Sequence, residues 1–396
     1  MRGANALSEN TVRIKDDQAR VFLGSPWIYR GELYRSNATP GSVVTVLDAA
    51  GREVGKGFFN PGSIIAVRLL TRSRRESITP HWFQERVRAA VRLRRQWMDQ
   101  RDAYRVFYAE SDGIPGLVVD RYGPMLVMEI LSLGLVPYTE AIIEALAEEM
   151  HPQGIFERGN LSTREHEGLP RRDRLVYGSL VDPVEITEHG VRMAVDIVHG
   201  QKTGHFLDQY YNRGRVGELA RGKDVFDVFC HTGGFGLVAA ANGASRVVGV
   251  DQDKEALRRA AHNATTNGLS ERVTWVAANA FDWLREQSDG GAQYDLGILD
   301  PPAFTKSKDR VGAAIKGYKE INLRAMKLIR PGGVLVTASC SYHLSEADFI
   351  AVIAAAARDV RRYVRMMEIR GQGLDHPMLP GSPESRYLKC VILTVE

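Results

Sequence analysis

The chain has 396 residues, 44% hydrophobic and 25% charged, a composition ordinary for a water-soluble globular protein of two or three domains. Its formal charge of +4 leans toward a polyanionic partner but is far from that of a basic tail. Three widely spaced cysteines exclude a disulfide framework and, with no Cys-x-x-Cys or His-Glu-x-x-His pair, no zinc site is expected.

The first stretch, "MRGANALSENTVRIKDD", has no apolar segment of the signal-peptide kind, and no run reaches membrane-spanning length. A cytoplasmic protein, monomeric or homodimeric and without a membrane partner, is the expectation. Residues from about Val12 to Leu70 read as short strands and turns: "SVVTVLDAAGREVGKGFFNP" holds two strands around a turn, and "IIAVRLL" a third. A small β-barrel or sandwich over residues 1–78 is expected. "TPHWFQERVRAAVRLRRQWMDQ" then reads as an amphipathic helix started by proline, with Phe83, Val87, Ala90, Val91, Trp97 and Met98 on its buried face. Strands around a Gly-Pro-Gly turn, the helix "TEAIIEALAEEM" and the strand "GIFERG" complete an α+β domain over residues 79–187.

From Glu188 onward strand and helix alternate. The strands are "DVFDVF", "RVVGVD", "VTWVAAN", "YDLGILD", "GGVLVTAS", "YVRMMEIR" and "YLKCVILTVE", with a helix in each of the first five gaps. Such alternation builds a mostly parallel, Rossmann-like α/β sheet of seven strands over residues 188–396. The last two strands have no helix between them, so the final strand is expected to run antiparallel. Gly332-Gly333 is expected to end the helix before the fifth strand.

In open α/β sheets ligands bind beyond the carboxyl ends of the strands. Asp227, Asp251, Asp300 and Cys340 all fall there. After the first strand, "CHTGGFGLVAA" supplies Gly233, Gly234 and Gly236 for a tight turn into a helix amino terminus. Asp251 ends the second strand, where a carboxylate accepts hydrogen bonds from both hydroxyls of a ribose. Together these point to a cofactor containing adenosine. The spacing G-G-x-G differs from the dinucleotide fingerprint, and Asp227 before the loop repels a pyrophosphate but suits a ligand with an ammonium and a sulfonium. S-adenosylmethionine is therefore favoured over NAD. Asn279, with Ala280, stands where it meets the adenine edge or caps the helix "AFDWL". In "LDPPAF" two fixed proline φ angles stiffen the loop that carries Asp300. Lys306, Lys308 and Arg310 in "FTKSKDR" offer charges for phosphates or make an exposed polar loop.

With those residues in hand the chain resembles the large-subunit ribosomal RNA cytosine-C5 methyltransferases, the methyltransferase I family, over nearly its whole length. "GSPWIYRGEL" through "NPGSIIAVRLL" resembles the family's amino-terminal PUA domain, and "AESDGIPGLVVDRYG" its central domain. "KTGHFLDQ", "DVFCHTGGFG", "LDPPAF", "GYKEIN" and "SCS" resemble successive elements of its catalytic domain. The resemblance implies a PUA-like RNA-binding barrel, a central α+β domain and a class I methyltransferase domain that takes S-adenosyl-L-methionine and acts on ribosomal RNA. It implies that Asp227, Thr232, Gly233, Gly234, Asp251, Asn279, Ala280 and Asp300 line the cofactor, that Thr203, Phe206 and Gln209 cover it, and that Cys340 is the nucleophile. One departure is Cys230-His231, which stands where Ser-Tyr or a similar pair is expected.

C5 of cytosine is a poor nucleophile, and a thiolate added at C6 makes it enamine-like. Asp300, counted with both the cofactor and the catalytic set, suits N3 and N4 of the base. Three other readings stand beside this one: an amino-group methyltransferase of a purine, a catalytically silent RNA-binding assembly factor, and an NAD-dependent oxidoreductase. The first prefers an aromatic residue directly after Pro-Pro, where this chain has Ala303.

Overall fold

The computed structural model describes residues 10–15, 19–34, 36–98, 100–305 and 308–396, with Lys308 as backbone only. They form two compact units: one of Met1–Val184, Val195–His205 and Leu374–Ser385, the other of Glu185–Ala194, Phe206–Gly373 and Arg386–Glu396.

The first unit begins with β1 (Thr11–Arg13), the one-turn helix α1 (Ala19–Phe22), β2 (Trp27–Tyr29), β3 (Val43–Leu47), β4 (Glu53–Phe59) and β5 (Ile65–Thr71). They pair in the order β1-β3-β4-β5-β2. The open edges then meet: Lys15 N–H donates to the Glu32 carbonyl at 2.8 Å and Tyr34 N–H to that of Arg13 at 2.9 Å, closing the sheet on itself. Closure removes the unpaired edges a five-stranded sheet would otherwise expose. The unit continues with α2 (Pro80–Met98), β6 (Ala103–Tyr108), β7 (Leu117–Tyr122), β8 (Met125–Ile130), α3 (Thr139–Met150), β9 (Gly154–Glu157), α4 (Ser162–His166) and β10 (Arg174–Gly178). The second sheet has the order β10-β9-β8-β7-β6. Phe58 and Leu70 of the barrel belong to the same apolar cluster as Phe83, Val87 and Leu117, so barrel and α+β layer share one core.

The buried stripe of α2 differs from the expected one. Arg94 is buried and Trp97 is 62% exposed. Arg94 stands three residues after Val91 and four before Met98, on the same face, whereas Trp97 falls one residue aside. Burying the guanidinium is tolerated because both Nη atoms reach Asp112 at 2.7 Å and Nε reaches the Arg105 carbonyl at 3.1 Å.

β11 (Val184–Glu188) and β12 (Val191–Val195) make a two-stranded hairpin. The second unit then runs α5 (Tyr210–Leu219), β13 (Asp224–Val228), α6 (Gly234–Ala241), β14 (Arg246–Asp251), α7 (Lys254–Thr266), β15 (Val273–Ala277), α8 (Ala280–Asp289) and β16 (Tyr294–Leu299). It ends with α9 (Val311–Leu328), β17 (Ile329–Ser339), α10 (Glu346–Asp359), β18 (Val364–Arg370) and β19 (Lys389–Val395). The sheet order is β15-β14-β13-β16-β17-β19-β18. The first five of these strands are mutually parallel, while β19 is antiparallel to both β17 and β18, as the missing last helix predicts. The helix α9 ends at Leu328, and strand pairing begins at Ile329 rather than after Gly332-Gly333. The order reverses between β13 and β16, which opens a crevice at their carboxyl ends.

Candidate active site

The loop from β13 into α6 is wound tightly. Phe229, His231 and Gly233 all have positive φ, at 69°, 50° and 83°. Two of these are not glycine, and such strain clusters where structure serves a ligand. Gly233 has a further constraint, because a Cβ there would lie 2.6 Å from the ring of Trp275. Gly249 on β14 makes room for the same ring, at 2.3 Å from a would-be Cβ. Trp275 of β15 therefore fills the space beneath the loop, and small residues above it are obligatory. Cys230 turns inward, where burial, with the charges of Asp227 and Asp251, pushes its thiol well up. The Thr232 carbonyl accepts from Asn263 of α7 at 3.4 Å, and Phe206 stands edge-on to His231 at 5.2 Å.

Asp227 is fully buried at the end of β13. Its Oδ2 accepts the Gly236 N–H at 2.9 Å, and its Oδ1 has no partner among the described residues. Burial first, then the charges of Asp300 and Asp251, push its carboxyl up to about 7, against the Gly236 hydrogen bond. A buried acceptor left without a donor is costly in a folded protein and is relieved by a bound cation or N–H group. An ammonium, such as the cofactor expected from the sequence carries, is a group of that kind. One strand over, Asp251 accepts His231 N–H at 2.9 Å through Oδ2 and Asp253 N–H at 3.0 Å through Oδ1. Each oxygen retains a lone pair, which is what a ribose diol requires. Asn279 caps α8, its Oδ1 accepting from Phe281 N–H at 2.9 Å and Asp282 N–H at 3.4 Å. Ala280 is the first residue of that helix and is buried. Gly234 lies over the buried Arg213, which chelates Glu188 and donates to the Phe206 carbonyl at 2.9 Å.

Across the crevice, Asp300 follows β16 directly. Its Oδ1 accepts from Gln209 Nε2 at 2.9 Å; Gln209 in turn accepts from Asn212 at 2.6 Å, and Asn212 accepts from Arg370 Nε at 3.0 Å. Gln209 and Asn212 are both buried. Cys340 follows β17, the strand paired with β16, and its Sγ lies 3.8 Å from the Pro301 carbonyl. The Phe304 ring lies tilted against that of Tyr318, centroids 4.5 Å apart, and Tyr318 Oη is 2.9 Å from Ser341 Oγ. None of the three cysteines is in a disulfide. Cys390 is fully buried, its thiol pushed up to about 12 chiefly by burial, whereas Cys340 is half-buried.

The second unit thus gathers Phe206, Gln209, Asp227, Thr232, Gly233, Gly234, Asp251, Asn279, Ala280, Asp300 and Cys340. Thr203 belongs to the first unit, where its hydroxyl donates to Asp120 at 2.5 Å and meets Tyr122 at 2.8 Å. Of the three basic residues after the Pro-Pro loop, Lys306 and the side chain of Lys308 lie outside the described residues, and Arg310 precedes α9. Asn212, Arg370 and Lys389 were not anticipated. Lys389 alone carried a signal, the single charge in the mostly apolar "LKCVILTV".

Residues 171–373 match the family model of S-adenosylmethionine-dependent methyltransferases, and residues 12–72 that of PUA-like domains. The chain is 37% identical over 377 residues to ribosomal RNA large subunit methyltransferase I of Shewanella denitrificans, covering 93% of this chain and 95% of that one. It is 38% identical to the protein of the same name from Shewanella amazonensis, with the same coverage. Among solved structures, SMU.776, crystallised in complex with SAH, superposes with a TM-score of 0.85 at 19% identity, over 97% of this chain and 99% of the other. That likeness shows a common fold.

Proposed function

The chain belongs to the ribosomal RNA large subunit methyltransferase I family of S-adenosylmethionine-dependent methyltransferases, and from that premise we propose that it methylates C5 of a cytosine in large-subunit ribosomal RNA through a covalent bond from Cys340 to C6. The observation that carries this reading is the pairing of a thiol and a carboxylate at adjacent strand ends, with Cys340 Sγ 3.8 Å from the carbonyl of the residue after Asp300. An amino-group methyltransferase has no use for that thiol.

Bound S-adenosylmethionine supplies an electrophilic methyl group on a sulfonium. Asp227 and Asp251 would hold its ammonium and its ribose, with Asn279 near the adenine. The Cys340 thiolate adds to C6, and the electron pair of the C5–C6 double bond becomes available at C5. C5 takes the methyl, and the cofactor's sulfur would keep the electron pair of the broken S–CH3 bond. Loss of the C5 proton to solvent then re-forms the double bond and expels the thiolate. Asp300, held by Gln209, accepts from the N4 amino group and orients the ring. The cytosine must leave its stack to reach the crevice, and the PUA-like barrel supports docking of the RNA.

RNA carrying 5-fluorocytidine at the target position tests this. Fluorine does not leave as a proton does, so an adduct on Cys340 should accumulate in the presence of S-adenosylmethionine and be seen by peptide mass spectrometry. Cys340→Ala should lose both adduct and methylation, the latter by roughly 10⁴-fold or more, the scale on which loss of a covalent nucleophile acts. Methylation at a comparable rate in that variant would end the reading.

A further inference from the structure

We propose that Lys389 is the positioning residue for Cys340: its buried ammonium fixes the turn after β17 and favours the thiolate. This rests on the reading of Cys340 as the nucleophile. The placement follows from strand register. β19 runs antiparallel to β17 with Lys389 opposite Ser339, the residue before Cys340. From there Nζ donates to the Ser341 carbonyl at 2.8 Å and to the Leu344 carbonyl at 2.8 Å. Two of its three N–H groups thus tie down the main chain just beyond the thiol, and the side chain is 4% exposed. A lysine in a core strand is expensive unless its charge is used, since neither carbonyl neutralises it.

The charged and ionisable groups around this corner come from each neighbouring element. Glu346 at the start of α10 pairs with Arg386, Tyr318 of α9 bonds Ser341, and Asp300 lies after β16. Glu346 is thus engaged by Arg386, and among the described residues no carboxylate hydrogen-bonds Lys389. Burial pushes Lys389 down to about 8, while the charges of Cys340 and Glu346 act in the opposite direction and that of Arg386 with burial. By reciprocity, what a Cys340 thiolate does for the ammonium the ammonium does for the thiolate. The thiol at the end of β17 thereby differs from Cys230 and Cys390, which burial holds protonated.

The test is the pH dependence of iodoacetamide alkylation of Cys340 in the full-length protein without RNA, followed by peptide mass spectrometry. Lys389→Met should slow alkylation at pH 7 about tenfold by moving the thiol midpoint up by about one unit. Lys389→Arg, which keeps a cation, should restore the midpoint to the wild-type value or below. The buried Cys230 and Cys390 report folding in the same digest, because they react quickly only if the chain opens. An unchanged midpoint in folded Lys389→Met overturns the proposal, as does a rate lowered equally at every pH. Should Lys389→Met not fold, Lys389→Arg decides by itself: a midpoint above wild type overturns the coupling. Alkylation needs neither RNA nor methyl transfer. A midpoint that shifts while the 5-fluorocytidine adduct never forms would therefore retire the nucleophile assignment and keep the Lys389 coupling.

Discussion

The two halves of the sheet edge are held by different means. On the β13–β15 side the polar side chains rest on backbone amides: Asp227 on Gly236, Asp251 on His231 and Asp253, Asn279 on Phe281 and Asp282. On the β16–β17 side the support comes from side chains far away in sequence. Asp300 is bound by Gln209 from 91 positions earlier, and the turn after Cys340 by Lys389 from 48 positions after Ser341. Backbone amides cannot be mutated away and need no rotamer ordering, so the first half is pre-built by its loops. The second half is only as well placed as a relay of buried side chains, each of which gives up rotamer freedom to hold the next.

The largest effect that separates the halves is expected at Asp300. Asp300→Asn should lower the methyl-transfer rate by about 10²–10³-fold, the range for losing one preorganised group at a reacting centre. Its effect on S-adenosylmethionine affinity should be much smaller. Gln209→Ala should cost about tenfold in rate through a misplaced Asp300. Single-turnover assays on the double variant should show little more loss than Asp300→Asn alone. Fully additive losses would show that Gln209 does not act through Asp300, and the contrast between the halves would fail.

The same contrast explains what the sequence made legible. All seven strands of the second sheet, and the reversed last one, follow from local period and from the missing final helix. Asp227, Asp251 and Asn279 were legible because their supporting amides are defined once the strand ends and helix starts are placed. Asn212 and Arg370 were not, since their meaning depends on bringing α5 and β18 to one place, which no local pattern encodes. Arg94 failed for a related reason. The helical period alone puts it on the buried stripe of α2, but what makes a guanidinium acceptable there, Asp112 and the Arg105 carbonyl, lies outside the helix.

Asp227 offers a second separation, of intermediate size, through pH. Its folded carboxyl titrates at about 7 because burial disfavours its charge. A raised folded value means that this group's contribution to the stability of the cofactor-free protein is fully present below about pH 4 and is lost as pH rises through about 7. An ammonium held on Oδ1, as proposed, would reverse the preference by selecting the ionised form. Affinity for S-adenosylmethionine should therefore rise with pH up to about 7 and then level off, with a proton released on binding at pH 6. Titration calorimetry in two buffers of different ionisation enthalpy counts that proton. Asp227→Asn should remove the slope and weaken binding by roughly 1.5–3 kcal/mol, the range for a hydrogen bond to a charged group. An affinity flat from pH 5.5 to 8 in the unaltered protein would place the ammonium elsewhere.

The smallest expected effect is at Asn279, where a structural role and a binding role overlap. Its Oδ1 caps α8, and a cap of this kind is worth about 1 kcal/mol of stability. Its Nδ2 is the only group that distinguishes it from serine or aspartate as a cap, and so the only one an adenine acceptor would need. Asn279→Ala should lower stability by about 1 kcal/mol, read as a shifted denaturant midpoint at constant slope. Asn279→Ser should leave the midpoint nearly unchanged, because serine caps equally well. If the amide also meets the adenine, both variants should weaken S-adenosylmethionine by a similar factor of about five, near 1 kcal/mol. Wild-type affinity in Asn279→Ser would leave the residue with the cap alone. The adenine would then have to be held on this half by shape and by backbone groups.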